Sequence, residues 1–218
     1  MTHNAGMKDD HANISRDAAS GARPADQLHA ANLGAFFRPS QLAGAGLTRD
    51  QLRTLVRRET VEHLGHGLYR IAEREPTEQY SLGMATARVP NSVVCLLTAL
   101  RVHEIGTQSP PEVWLAIPHK ARAPRLRQLR LQIVRFSGAA WTLGVEATNF
   151  EGVPARITSP ARTVVDCFRF ERLLGPEPPM EALVDAIRYH KVTVAELSRI
   201  ESVLPSRRLR AVLDSRSI

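Results

Sequence analysis

The sequence predicts an α+β fold: an N-terminal winged helix-turn-helix followed by a mixed α/β domain with a small sheet and C-terminal helices. Three observations predict it. A capped, basic, amphipathic segment at 49–58 follows two short helical stretches and precedes a glycine-centred pair of apolar runs. Strand-like runs then cluster between 113 and 157. Capped helical segments close the chain.

The elements follow in order. Ala25 to Leu33 favours helix and ends at Gly34, a suitable residue just past a helix end. Pro39 to Ala45 reads as a short second helix, with Pro39 in its first turn and Gly44 and Gly46 closing it. Thr48 and Gln51 form a capping box, which starts a third helix from Arg49 to Arg58. Val61 to Leu64 and Leu68 to Ile71 flank Gly65-His66-Gly67 and read as a hairpin. A charged break at Glu73-Arg74-Glu75-Pro76 separates a first unit, 25–75, from a second, 76–218. Residues 1–24 are polar, lack the apolar stretch of a signal peptide, and read as a disordered arm. Met7 is an alternative start within that arm.

In the second unit, Thr77 to Val89 and Asn91 to Ile105 read as two helices split at Pro90. Val113 to Ile117 is apolar throughout and predicts a buried strand. Arg130 to Phe136, Leu143 to Phe150 and Val153 to Ile157 predict further strands, the last two joined by a turn at Glu151-Gly152. Ser159 caps a helix that begins at Pro160. Glu181 to Tyr189, a capped segment from Thr193 to Leu204, and Ser206 to Leu213 supply the remaining helices.

Composition bounds the function. The chain has 218 residues, with 29 Lys and Arg against 22 Asp and Glu, a net charge of +7. Hydrophobic residues make up 43%, which excludes a wholly disordered chain. Only Lys8, Lys120 and Lys191 are lysines, so arginine supplies the basic excess. Arginine forks phosphates and guanine edges, which makes nucleic acid the first partner to consider. No apolar run is long enough to span a membrane. Cys95 and Cys167 lie in apolar helical-looking segments and read as buried hydrophobes, and a cytoplasmic location is expected.

The third helix places Leu52, Leu55 and Val56 on one side and Asp50, Arg53, Thr54 and Arg57 on the other, flanked by Arg49 and Arg58. The expected DNA contacts are Arg49, Gln51, Arg53, Thr54, Arg57 and Arg58 from this helix, and His66 and Arg70 from the wing. A winged helix also serves as a protein-binding module. A non-DNA-binding adaptor for an acidic partner is therefore the alternative. A second basic stretch holds Lys120, Arg122, Arg125, Arg127, Arg130 and Arg135, with no acid from Val113 to Val145. It is a candidate for phosphate or partner contact.

Catalytic motifs are missing. No Walker-type phosphate loop or nucleophile elbow occurs. Asp166 follows Arg162 by four residues on one helix and reads as half of a local ion pair. His63 and His66 have metal-like spacing but no second pair beside them, and read as ordinary polar residues. No enzyme activity, cofactor or metal is expected.

The order of short motifs resembles the AbiEi-type antitoxin family. The carriers are Gly34-Ala-Phe-Phe, Gly46-Leu-Thr, Leu52, Leu55-Val56 and Gly67-Leu-Tyr-Arg70. Further along come Leu96-Leu97-Thr98-Ala99-Leu100, Val113 to Pro118, Arg135-Phe136-Ser137 and Ile157-Thr-Ser-Pro-Ala-Arg-Thr-Val-Val-Asp-Cys167. The resemblance spans about residues 25–213. It implies a repressor of its own operon that binds promoter DNA through the winged helix. It also implies an antitoxin, usually classed as type IV, that counteracts a nucleotidyltransferase-like toxin. Such relatives include longer proteins with a nuclease-like domain beyond the point where this chain stops. The chain departs from them at Glu59, Thr60 and Glu62, where relatives are more basic. A monomer that binds repeated half-sites cooperatively is expected.

Overall fold

The computed structural model describes residues 24–215 apart from 32, 76, 125, 127 and 128. The predicted disordered arm lies outside these residues, except for Pro24, and so do Arg125, Arg127 and the break at Pro76.

The N-terminal part runs α1 (Pro24–Ala30), β1 (Phe36–Phe37), α2 (Arg49–Arg57), β2 (Val61–Gly65) and β3 (Leu68–Ile71). β3 is the central strand of an antiparallel sheet in the order β1-β3-β2. The expected second helix is instead two 3₁₀ turns, Pro39–Gln41 and Ala43–Ala45. They end at Gly46, whose φ of 66° is open to glycine at little cost. The predicted capping box is present: Thr48 Oγ1 accepts from the Gln51 amide at 3.2 Å, and Gln51 Oε1 accepts from the Thr48 amide at 2.7 Å. A cap of this kind contributes about 1 kcal/mol. Leu28, Phe37, Leu42, Leu47, Leu52, Leu55, Val61 and Ile71 form the core beneath α2 and the hairpin.

The rest of the chain runs α3 (Tyr80–Arg88), β4 (Val93–Val94), α4 (Leu96–Val102), β5 (Val113–Pro118), β6 (Leu131–Phe136), β7 (Val145–Phe150) and β8 (Val153–Thr158). Five helices follow: α5 (Pro160–Arg169), α6 (Glu171–Leu174), α7 (Glu177–Arg188), α8 (Val194–Val203) and α9 (Arg207–Ser215). The mixed sheet has the order β6-β5-β4-β8-β7. β5 is buried on both faces, which explains its unbroken apolar run. Trp114 and Ala116 pack toward α5, while Val113 and Leu115 pack toward Leu82 and Ala85 of α3. The segment 91–105, expected as one helix, is a short strand followed by a shorter helix.

The core of this part holds a polar network. Arg162 and Asp166, at consecutive turns of α5, are both fully buried and paired at 2.8 Å. The local ion pair is present, but as an interior group rather than a surface one. Arg162 also donates to the carbonyls of Ala140, at 2.8 Å, and Leu143. Its guanidinium lies over the Phe136 ring, 4.8 Å from the centroid. Arg169 donates to the other carboxylate oxygen of Asp166 at 2.6 Å. Beside them, Thr163 Oγ1 lies 2.7 Å from Thr158 Oγ1, and His103 Nε2 donates to the Thr158 carbonyl at 2.6 Å. The Ile157–Cys167 motif is thus the strand-to-helix corner that carries the buried polar groups. Burial pushes the thiols of Cys95 and Cys167 up, the nearby Asp166 adds to this, and both are free and inert.

Candidate nucleic-acid interface

α2 turns Leu52 and Leu55 into the core and leaves Arg49, Asp50, Arg53, Arg57 and Arg58 exposed. The amphipathic reading of this helix holds in the structure. Arg53 Nη1 pairs with Asp50 at 2.8 Å, with both side chains more than three quarters exposed (77% and 87%). Such a surface pair contributes about 0–1 kcal/mol, so an incoming phosphate can displace Asp50 at little cost. Thr54 Oγ1 donates to the Asp50 carbonyl at 3.1 Å and accepts from Arg57 at 3.2 Å. Gln51 has its side-chain oxygen committed to the cap, which leaves only its amide nitrogen to donate outward.

The wing stands beside this helix. His66 is exposed at the tip of the Gly65–Gly67 turn with φ of 52°. Two arginines from outside the hairpin hold the turn by its backbone. Arg38 donates to the His66 carbonyl at 3.4 Å and to the Ala87 carbonyl of α3 at 2.6 Å, and Arg88 donates to the Leu64 carbonyl. The wing is therefore anchored to α3.

Arg70 is largely withdrawn from the surface. Its side chain is only 13% exposed; it pairs with Glu62 at 3.1 Å and donates to the Arg74 carbonyl at 2.9 Å. Glu62 and Arg70 are opposite each other in the β2–β3 register. Glu62 offsets the charge of Arg70, and Arg70 braces the hairpin.

A groove of 660 Å³ lies between α2 and the hairpin. Leu52, Arg53, Thr54, Val56 and Arg57 line one side, and His63 and Tyr69 the other. His63 stacks on Tyr69 with centroids 4.7 Å apart, and Tyr69 stacks on Phe37 at 5.7 Å. His63 and Tyr69 face the recognition side through cross-strand pairing, a long-range relation that spacing along the chain does not reveal.

Four residues of the second basic stretch are described, and Arg135 is exposed like the other three. Lys120, Arg122 and Arg130 are exposed. Arg135 Nη1 reaches the carbonyls of Pro118, His119 and Ala121 at 2.6–3.2 Å. Arg135 thus ties its strand to the loop after β5 while remaining exposed.

A capped arginine-faced helix next to a two-stranded wing defines a winged helix-turn-helix module. Over residues 27–72 the chain matches the family described as "Transcriptional regulator, AbiEi antitoxin". The resemblance read from the sequence is borne out over that segment. Among solved structures, the chain is similar to the RV2827C protein from Mycobacterium tuberculosis, with 18% identity and a TM-score of 0.48. That similarity covers 77% of this chain and 66% of the other, so the chain spans just under two thirds of that protein. No curated protein matches the chain. No helix among the described residues is long and apolar enough to cross a membrane.

Proposed function

We propose that the protein is a cytoplasmic DNA-binding antitoxin that represses its own toxin–antitoxin operon and counteracts a nucleotidyltransferase-like toxin. The observation that carries the reading is the exposed arginine face of α2, in the segment that matches the AbiEi transcriptional regulators. α2 enters the major groove, where Arg53 and Arg57 fork guanine edges or phosphates and Thr54 contacts the adjacent backbone. Arg49 and Arg58 hold phosphates at either end of the helix. His66 reaches the flanking backbone from the wing. His63 and Tyr69 form the wall on which a sugar–phosphate strand rests, a role that replaces the one expected of Arg70. Residues 25–75 read DNA and residues 76–218 antagonise the toxin, with Lys120, Arg122, Arg125, Arg127, Arg130 and Arg135 as the candidate region. The protein binds repeated half-sites as a monomer and needs no cofactor or metal.

Footprinting on the upstream DNA tests repression, and co-expression with the adjacent toxin gene tests antagonism. The reading requires a protected promoter segment and restored growth. An unprotected promoter together with a toxin recovered by pull-down would support the adaptor alternative instead.

A further inference from the structure

The C-terminal helices flank an open cleft that DNA reading by α2 does not use. Its volume is 830 Å³, and it lies where the α5–α6 junction meets the α8–α9 turn. Arg169 and Arg172 reach its wall from the junction, and Arg207 and Arg208 from the start of α9. One carboxylate in the wall, Glu171, pairs with Arg208. Arg172 and Arg207 are exposed, and their side chains have no hydrogen bond or ion pair among the described residues.

A second observation adds to this charge. Asp166 is fully buried and binds two guanidiniums, Arg162 at 2.8 Å and Arg169 at 2.6 Å. One carboxylate against two arginines leaves one positive charge over in a desolvated cluster. That surplus reaches the cleft through Arg169, whose side chain is 24% exposed. An anion seated there offsets a charge that the fold itself leaves uncompensated.

The chemistry of the wall selects the anion. Guanidiniums bind phosphate oxygens bidentately. The cleft volume falls in the range of small-molecule sites, roughly 300–1,000 Å³, and is far larger than one phosphate ion. Phe170 and Pro205 give it an apolar side. We propose that this cleft binds a nucleoside phosphate, with the phosphates on Arg169, Arg172 and Arg207 and the base against Phe170 and Pro205.

Calorimetric titration of the full chain with ATP tests this, with inorganic phosphate and hexaglutamate as comparison probes. Arg172 and Arg207 are exposed, so the double variant R172A/R207A keeps the fold, which its circular dichroism and melting temperature verify. The expected result is saturable one-to-one ATP binding, weakened on the order of tenfold or more in R172A/R207A and unchanged in R53A/R57A. Absence of saturable binding, undiminished binding in R172A/R207A, or loss in R53A/R57A overturns the proposal. Inorganic phosphate binding as tightly as ATP overturns the nucleoside assignment. Hexaglutamate binding more tightly than ATP overturns the proposal in favour of an acidic protein segment.

Discussion

Gly34 and Gly152 meet backbone to backbone. A Cβ on Gly34 would overlap the carbonyl of Glu151 and the Cα of Gly152, and a Cβ on Gly152 would overlap the Cα of Gly34. The Phe36 amide donates to the Glu151 carbonyl at 3.2 Å at the same place. The β7–β8 turn is thereby pressed against the entry to the first sheet, and Gly34 serves close approach rather than a helix end. Gly34→Ala is expected to destabilise the protein by about 1–3 kcal/mol through overpacking. Urea denaturation reads this as a lower midpoint; an unchanged midpoint would show that the two backbones separate freely.

Asp166 pairs with two arginines, Arg162 fully buried and Arg169 partly exposed. Asp166→Asn leaves the fully buried Arg162 and the partly exposed Arg169 without a counter-charge, and the expected loss is about 3–5 kcal/mol. The double variant Asp166→Asn/Arg162→Met removes the fully buried charge that the single variant strands, and is expected to cost less than Asp166→Asn alone. A denaturation series across the wild type, Asp166→Asn, Arg162→Met and the double variant checks this. Additive losses would mean that the pair is not coupled.

His103 makes stability depend on pH. Burial holds its imidazole below the ordinary value, and Lys191 acts in the same direction; the Thr158 carbonyl and Glu146 oppose them. The unfolded imidazole takes up its proton at about pH 6.5, above the folded value. The stabilising contribution is therefore whole above about pH 6.5 and is lost as the pH falls through the lower folded value. His103→Gln, which can still donate to the Thr158 carbonyl, is expected to flatten this part of the stability profile. An unchanged slope in that variant would assign the effect to another group.

Local signals in the sequence were legible and cross-strand relations were not. Thr48 and Gln51 mark the start of α2 because a capping box is confined to four residues. Gly65-His66-Gly67 marks the wing because a tight turn restricts its residue types. β4, at Val93–Val94, is two residues inside an apolar run, too short for any period to appear. The segment Pro39–Ala45 has helical residues but two glycines, and it forms 3₁₀ turns instead. In the candidate site, the arginines of α2 could be found from helical spacing. Glu62 opposite Arg70, and Tyr69 beside His63, depend on strand register.

The two kinds of arginine should separate by salt dependence. Arg53→Ala or Arg57→Ala is expected to lower promoter affinity by about 1–3 kcal/mol. Loss of one phosphate contact also reduces the slope of log affinity against log salt by about 0.9. Arg70 is already neutralised by Glu62, so Arg70→Ala should leave that slope unchanged. A reduced slope in Arg70→Ala would return this residue to the DNA surface.

The arginine face of α2 is best tested by a gel-shift titration on the upstream DNA, with unrelated DNA as competitor, at two salt concentrations. The account predicts a shift that survives competitor in the wild type and is lost in R53A/R57A. Binding that any competitor abolishes equally, or a specific shift retained in R53A/R57A, would contradict it.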